Sequence, residues 1–250
     1  MPEITSQSVK PISLILLVHQ EAETIAQVIK DFYDKVIAKI PGSQIIICED
    51  GSTDGTKEIL KNLAKQYPLT LDLREQKRGY TGAMKDGFAL AQNPVIFFSD
   101  SDGQHDPADF WRMYPLLEQY DMVIGWKKNR QDVWYRLLMT YVFNKLISLY
   151  FGTKLHDIDC GFRLIKKEAV SFLLQQTWRI KHCVNSELTV KVRAAGFSVG
   201  EIPVAHFSRQ FGASRGLPVK KLPKIVWHIL SGLPQIKKDI KQIKAGQTKP

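Results

Sequence analysis

Three short apolar runs constrain the fold most: Ser13–Val18 (SLILLV), Gln44–Cys48 (QIIIC) and Pro94–Phe98 (PVIFF). Each stops abruptly at a polar loop, and after the first two the loop is followed by a stretch with helical periodicity. After the first run, Ile25, Val28, Ile29, Phe32 and Tyr33 recur at i, i+3 and i+4; after the second, Ile59, Leu60 and Leu63 share a face. Runs too short for helices, apolar without alternation and separated by helices of about a dozen residues, are the signature of a parallel sheet covered on both sides. Leu69–Leu73 adds a strand and Thr81–Ala91 a helix, so the first hundred residues form an α/β unit. The second half is less regular: strands at Asp121–Gly125 and Gly200–Ala205, a long aromatic helix over Val133–Phe151, and shorter elements near Cys160–Leu164 and Glu187–Ala195.

Ligands of open α/β sheets bind at the carboxyl ends of strands, and the polar motifs of the first half fall there. Asp100 and Asp102 end the third run one residue apart, in FFSDSDGQHDP. Two carboxylates so placed repel unless a cation offsets them, and Mg²⁺ or Mn²⁺ shared with substrate phosphates does so. The same D-x-D-G also opens haloacid-dehalogenase-type phosphatases, in which Asp100 would be the nucleophile; that alternative stays open on these residues alone. After the second run, Glu49–Thr56 (EDGSTDGT) offers two glycines for close approach of a ligand and Asp50 as an acceptor for a ribose or a base edge. An EF-hand over Asp50–Lys61 fails, because its last position is Lys61 instead of a bidentate Glu.

Taken in order, LVHQE (Leu17–Glu21), EDGSTDGT, RGYTGAMKDGFALA (Arg78–Ala91), DSDGQHDP (Asp100–Pro107), DIDCGFRLIKKEA (Asp157–Ala169) and GEIPVAHFSRQFGASR (Gly200–Arg215) form a series. With it the chain resembles the family 2 glycosyltransferases, most closely their polyprenyl-phosphate, dolichol-phosphate-mannose-synthase-like branch. It departs from that pattern at Leu17, His19, Glu49 and Cys160. The resemblance implies a GT-A fold, a Rossmann-like mixed but mainly parallel sheet flanked by helices, over residues 10–210. It implies an inverting, metal-dependent enzyme that moves a hexose from a nucleotide-diphosphate sugar to a polyprenyl phosphate, or to a glycan or other hydroxyl.

Position by position, Leu17, His19, Glu21, Glu49, Asp50, Ser52, Gly82 and Asp100 would form the nucleotide side. Asp100 and Asp102 would hold the metal-diphosphate, and Gln104 would lie beside the sugar. A lipid phosphate is already an anion and needs no base; Lys127, Arg130, Arg136, Arg163 and Arg209 are candidates to bind it, with Thr140 one turn from Arg136. A hydroxyl acceptor would need a carboxylate base, for which Glu187 and Asp159 are candidates.

Charge and cysteine content place the chain further. Cys48, Cys160 and Cys183 are widely spaced and include no CxxC pair, which argues against a disulfide framework or a zinc site and favours a reducing cytoplasm. The first ten residues carry no secretory apolar stretch, and no window has the roughly 20 apolar residues of a spanning helix. The +10 formal charge is concentrated after Gly212, where nine basic residues face only Asp239. Residues 211–250 therefore form a basic extension, either lying in a membrane interface through IVWHIL or packed on the body with a solvated basic end. The expected location is cytoplasmic and peripheral to the membrane. Nucleic acid is not an expected partner, because the acid- and glycine-rich loops would then have no role.

Overall fold

The structure, a computed structural model, describes residues 9–128, 134–208 and 222–246. Chain order begins with β1 (Ile12–Val18), α1 (Ile25–Lys35), β2 (Gln44–Asp50), α2 (Thr56–Leu63), β3 (Leu69–Arg74), α3 (Tyr80–Leu90) and β4 (Val95–Asp100). Short helical turns around α4 (Phe110–Met113) lead to β5 (Met122–Lys127) and the long α5 (Trp134–Phe151). Then come β6 (Arg163–Lys166), α6 (Lys167–Leu174), α7 (Val184–Ala194), β7 (Val199–Val204) and α8 (Leu222–Ala245).

The seven strands form one sheet in the order β3-β2-β1-β4-β6-β5-β7. All pairings are parallel except those of β6, which runs against both β4 and β5. The three apolar runs make its centre: Leu14, Ile15, Leu16, Ile45, Ile46, Ile47, Ile96, Phe97 and Phe98 are fully enclosed, as strands covered on both faces must be.

Because β2 and β3 extend from one side of β1 and β4 from the other, the strand order reverses between β1 and β4. A crevice opens there at their carboxyl ends. Register lines up the motifs along this edge: Leu17 lies opposite Asp100 on one side and opposite Cys48 on the other, and Val18 lies opposite Glu49.

Three features depart from the sequence reading. The turn-rich stretch around α4 and the helix α6 lie outside it, and the short element expected near Cys160–Leu164 is a strand that starts only at Arg163. The chain from Leu222 to Ala245 is one helix with Pro234 inside it. It packs on the body through a second apolar cluster in which Ile225, Ile229, Leu233 and Ile236 meet Ile147 of α5 and Ile158, Ile180 and Val190. At Gly232 a Cβ would overlap the Ile180 side chain, so glycine permits the close approach. A buried ion network fastens the far end: Lys191 Nζ lies 2.6 Å from Glu187 Oε1 and 2.9 Å from Asp239 Oδ2, and Arg179 pairs with Asp239 at 2.8 Å.

Candidate active site

The loops after β1 and β2 are built as one piece. Gln20, at φ 58°, donates its amide to Ser52 Oγ (2.8 Å), Glu21 donates to Thr56 Oγ1 (3.0 Å) and Ala22 to Asp54 Oδ2 (3.2 Å). Thr24 Oγ1 in turn donates to Glu21 Oε2 at 2.9 Å. The small polar residues of EDGSTDGT therefore shape the preceding loop, satisfying backbone amides that β1 leaves without sheet partners.

Glu49 belongs to this scaffold. It is almost fully enclosed, accepts the Ser52 amide and faces Lys57 Nζ at 3.9 Å, so it holds its own turn instead of reaching a nucleotide. Ser52 acts likewise. Asp50 accepts the amides of Arg78 (2.5 Å) and Gly79 (2.8 Å), which fixes the start of α3 while leaving the residue on the cavity wall.

The cavity at the crevice has a volume of about 260 Å³. Of the residues expected on the nucleotide and metal side, Leu17, His19, Glu21, Asp50, Asp100 and Asp102 line it. Ser52 and Gly82 do not. Lys77, Tyr80 and Ala83 also line it, none of them among the site residues expected from the sequence.

Asp100 ends β4, and its Oδ1 accepts the Tyr80 hydroxyl at 3.1 Å; Asn185 Nδ2 donates to the same hydroxyl at 3.2 Å. Ser101 Oγ donates to Leu17 O at 2.6 Å and locks the turn. Asp102 Oδ1 accepts the Gln104 amide at 3.2 Å. Two carboxylates at i and i+2 opening into one cavity suit a hard divalent cation that keeps several non-protein oxygens. Among the described residues no cluster of three His, Cys, Asp or Glu offers a complete protein cage.

Gln104 is committed elsewhere in part: its Nε2 donates to Phe207 O (3.0 Å) and its carbonyl accepts the Phe207 amide (2.8 Å). It ties the segment after β7 to the D-x-D turn and is not on the cavity wall.

The DIDCGFR segment closes the other side. A Cβ on Gly161 would collide with the Asp100 carboxylate, which is the physical demand for glycine here. Arg163 corrects an expectation. Its side chain is fully enclosed, with donors spent on Cys160 O (3.0 Å), Ile158 O (3.3 Å), Asn185 O (3.4 Å) and Thr189 Oγ1 (3.2 Å). It braces the loop from within and cannot meet a phosphate. Glu187 is a second correction: its carboxylate accepts the amides of Arg179 (2.8 Å) and Ile180 (2.9 Å) and pairs with Lys191, deep behind α7. No substrate proton can reach it.

Asp159 remains near the site. It accepts from the Ser186 amide and hydroxyl, both at 3.1 Å, and burial pushes its carboxyl up to about 6 despite the Arg163 charge. Lys127 ends β5 beside this segment. Arg136 lies in the first turns of α5 with its side chain outside the described residues, as are Arg130 and Arg209 altogether.

Comparison with known proteins agrees with this architecture. The chain is 27% identical over 213 residues to dodecaprenyl-phosphate galacturonate synthase of Rhizobium johnstonii, covering 82% of this chain and 61% of that protein's length. Among solved structures it resembles glucosyl-3-phosphoglycerate synthase from Mycobacterium tuberculosis in complex with Mn²⁺, uridine diphosphate and phosphoglyceric acid. The TM-score is 0.67 at 17% identity, over 91% of this chain and 80% of that one. It also resembles a mannosyltransferase from Pyrobaculum calidifontis in complex with GDP-Man and Mn²⁺, with a TM-score of 0.65 at 18% identity over 95% and 70% of the two chains. These likenesses establish the GT-A fold. Residues 13–174, which hold both carboxylate motifs and the CGFR turn, match the glycosyl transferase family 2, and the chain belongs to that family.

Proposed function

We propose that the protein is an inverting, divalent-metal-dependent hexosyltransferase that uses a nucleotide-diphosphate sugar and delivers the hexose to a polyprenyl phosphate at the cytoplasmic face of a membrane. The observation that carries this reading is the Asp100–Asp102 pair opening into the crevice between β1 and β4. Family membership leaves a phosphorylated Asp100, as in a haloacid-dehalogenase-type phosphatase, without support.

In this reading the nucleotide enters against Leu17, His19, Glu21 and Asp50. Asp100 and Asp102 would hold Mg²⁺ or Mn²⁺. The bound cation supplies charge neutralisation for the departing nucleoside diphosphate. Tyr80 and Gly161 keep Asp100 in place for that task. The acceptor side falls to Lys127, Arg130, Arg136 and Arg209, with Arg163 removed from the set. A phosphate oxygen attacks the anomeric carbon as an anion, so no base is assigned. With a hydroxyl acceptor Asp159 would take the proton, since Glu187 is walled off.

Support for a lipid-linked acceptor comes from the relative named as a dodecaprenyl-phosphate galacturonate synthase. The test is a panel of uridine, guanosine and thymidine diphospho-sugars with Mg²⁺ or Mn²⁺. A cognate donor raises the thermal midpoint, since a ligand bound only by the folded state stabilises it. Transfer to a short polyprenyl phosphate should then follow and fall in Arg136→Ala. No stabilisation by any donor sinks the reading, and efficient use of sugar hydroxyls by Arg136→Ala sinks the phosphate acceptor.

A further inference from the structure

Helix α5 is apolar and aromatic along its length (WYRLLMTYVFNKLISLYF), contains no acid, and yet hardly packs. Of its described side chains only Ile147 is buried. Phe143, Ile147, Tyr150 and Phe151 turn toward α8. Leu138, Tyr141, Val142, Lys145 and Leu149 form the opposite row, with Tyr141 61% and Leu149 90% exposed. A helix apolar all round is normally enclosed by protein or lipid, and a contiguous exposed patch of this kind marks a surface that something covers.

Helix α8 adds a matching row. Val226, Leu230, Pro234, Lys237, Lys241 and Lys244 follow one another at helical spacing, all exposed, with Trp227 beside them at 73%. Its first turns are thus apolar outward and its last turns basic. The helix's single acid, Asp239, points inward onto Arg179 and Lys191, so the outward side bears lysines without any carboxylate.

These charges decide between occupants. A second copy of the chain would bring the same lysines against each other across a two-fold axis. Anionic headgroups complement them, and Trp and Tyr favour the boundary between headgroup and acyl chain. Among the described residues no helix is long and apolar enough to cross a membrane, and rows that are apolar and basic along one side of a helix suit lying along a bilayer surface.

We infer that the outward rows of α5 and α8 form a docking face for an anionic lipid bilayer. Leu138, Val142, Leu149 and Trp227 enter the interface while Lys145, Lys237, Lys241 and Lys244 meet headgroups. Its purpose rests on the lipid-acceptor reading above, because docking brings the crevice to a substrate that cannot leave the membrane.

The test uses the full chain without substrate, floated with vesicles of phosphatidylglycerol and phosphatidylcholine or of phosphatidylcholine alone. Expected are binding to the anionic vesicles, marked loss at about 0.5 M salt, and a fall of about 100-fold in partition for the Lys237→Gln, Lys241→Gln, Lys244→Gln triple variant. Brominated lipid should quench fluorescence in the wild type and much less in Trp227→Phe. Leu149→Ser with Trp227→Ser should lose vesicle binding while keeping its thermal midpoint and its donor-induced stabilisation. Wild-type chain remaining with the supernatant, equal binding by the triple variant, or a lipid-free dimer that shields Trp227 would each overturn the proposal. Vesicle binding without any transfer to polyprenyl phosphate would leave the docking face standing and fault the functional reading instead.

Discussion

The loops around the crevice and the pair α5–α8 are held by opposite means. At the crevice, backbone amides of Gln20, Glu21, Ala22, Arg78 and Gly79 are taken by side chains of neighbouring loops, and that of Ser52 by Glu49 of its own turn. Such a site is preorganised by its own chain, so binding a nucleotide spends little on ordering it. On the other side α5 buries one described side chain, and α8 is fastened by an apolar row and a buried ion network. The crevice loops satisfy one another within the chain, whereas α5 and α8 leave an apolar and basic row exposed.

The largest effect should come from cutting the buried polar attachment of α8. Lys191→Met leaves Glu187 and Asp239 without their shared cation in a fully buried setting, and urea unfolding should show a loss of about 3–5 kcal/mol. Asp239 also predicts the pH behaviour. Burial would raise its carboxyl, but Arg179 and Lys191 outweigh that and hold it below its ordinary value. The stability it contributes is therefore present above the unfolded-state value of about 4 and lost as pH falls below it. Equal acid sensitivity in wild type and Asp239→Asn would show that α8 is held by its apolar row alone.

At the crevice, Asp100→Asn should keep the fold and lower turnover by about 10²–10³-fold, the usual loss when one charge-stabilising group is removed. Mn²⁺ affinity in the presence of uridine diphosphate, followed by electron paramagnetic resonance, should fall with it. Gly161→Ala comes next. The added methyl meets the Asp100 carboxylate, so that side chain must move, and a displacement of about 1 Å costs roughly 10²-fold in rate. An unchanged rate in Gly161→Ala would mean that the crevice is as yielding as the α5 side.

The sequence carried these two halves unequally, for a physical reason. Buried parallel strands are continuous apolar runs, so β1, β2 and β4 and the acids at their ends were legible, and Leu17, His19, Glu21, Asp50, Asp100 and Asp102 meet on one wall. Direction of a charged side chain was not legible. Arg163 and Glu187 stand in motif or helix positions that look available, yet β6 turns Arg163 inward, and α7 is enclosed almost all round, so that the alternation of polar residues along it gives no outward face. Lys77 and Tyr80 carry no periodic signal, and only the turn imposed by Asp50 aims them at the cavity. Helix α8 hid its role because an apolar stretch flanked by lysines reads alike whether it packs inward or faces lipid; it packs inward on one side and leaves an apolar and basic row outward on the other.

The smallest predicted effect separates the two acceptor chemistries where the halves meet. Asp159 has its carboxyl raised to about 6 by burial, so folding favours its protonated form. Its contribution to stability is whole below the unfolded value of about 4 and disappears as pH rises through about 6. Asp159→Asn, which cannot ionise, should raise stability at pH 7.5 by about 1–2 kcal/mol, with the side chain's partial exposure keeping the gain small. It should leave stability near pH 4 unchanged, and thermal unfolding at the two pH values measures the difference. Transfer to a phosphate acceptor should survive the substitution, since an anionic nucleophile needs no base. If turnover collapses in Asp159→Asn, and wild-type turnover rises through pH 6, the carboxylate is removing a proton and the acceptor is a hydroxyl.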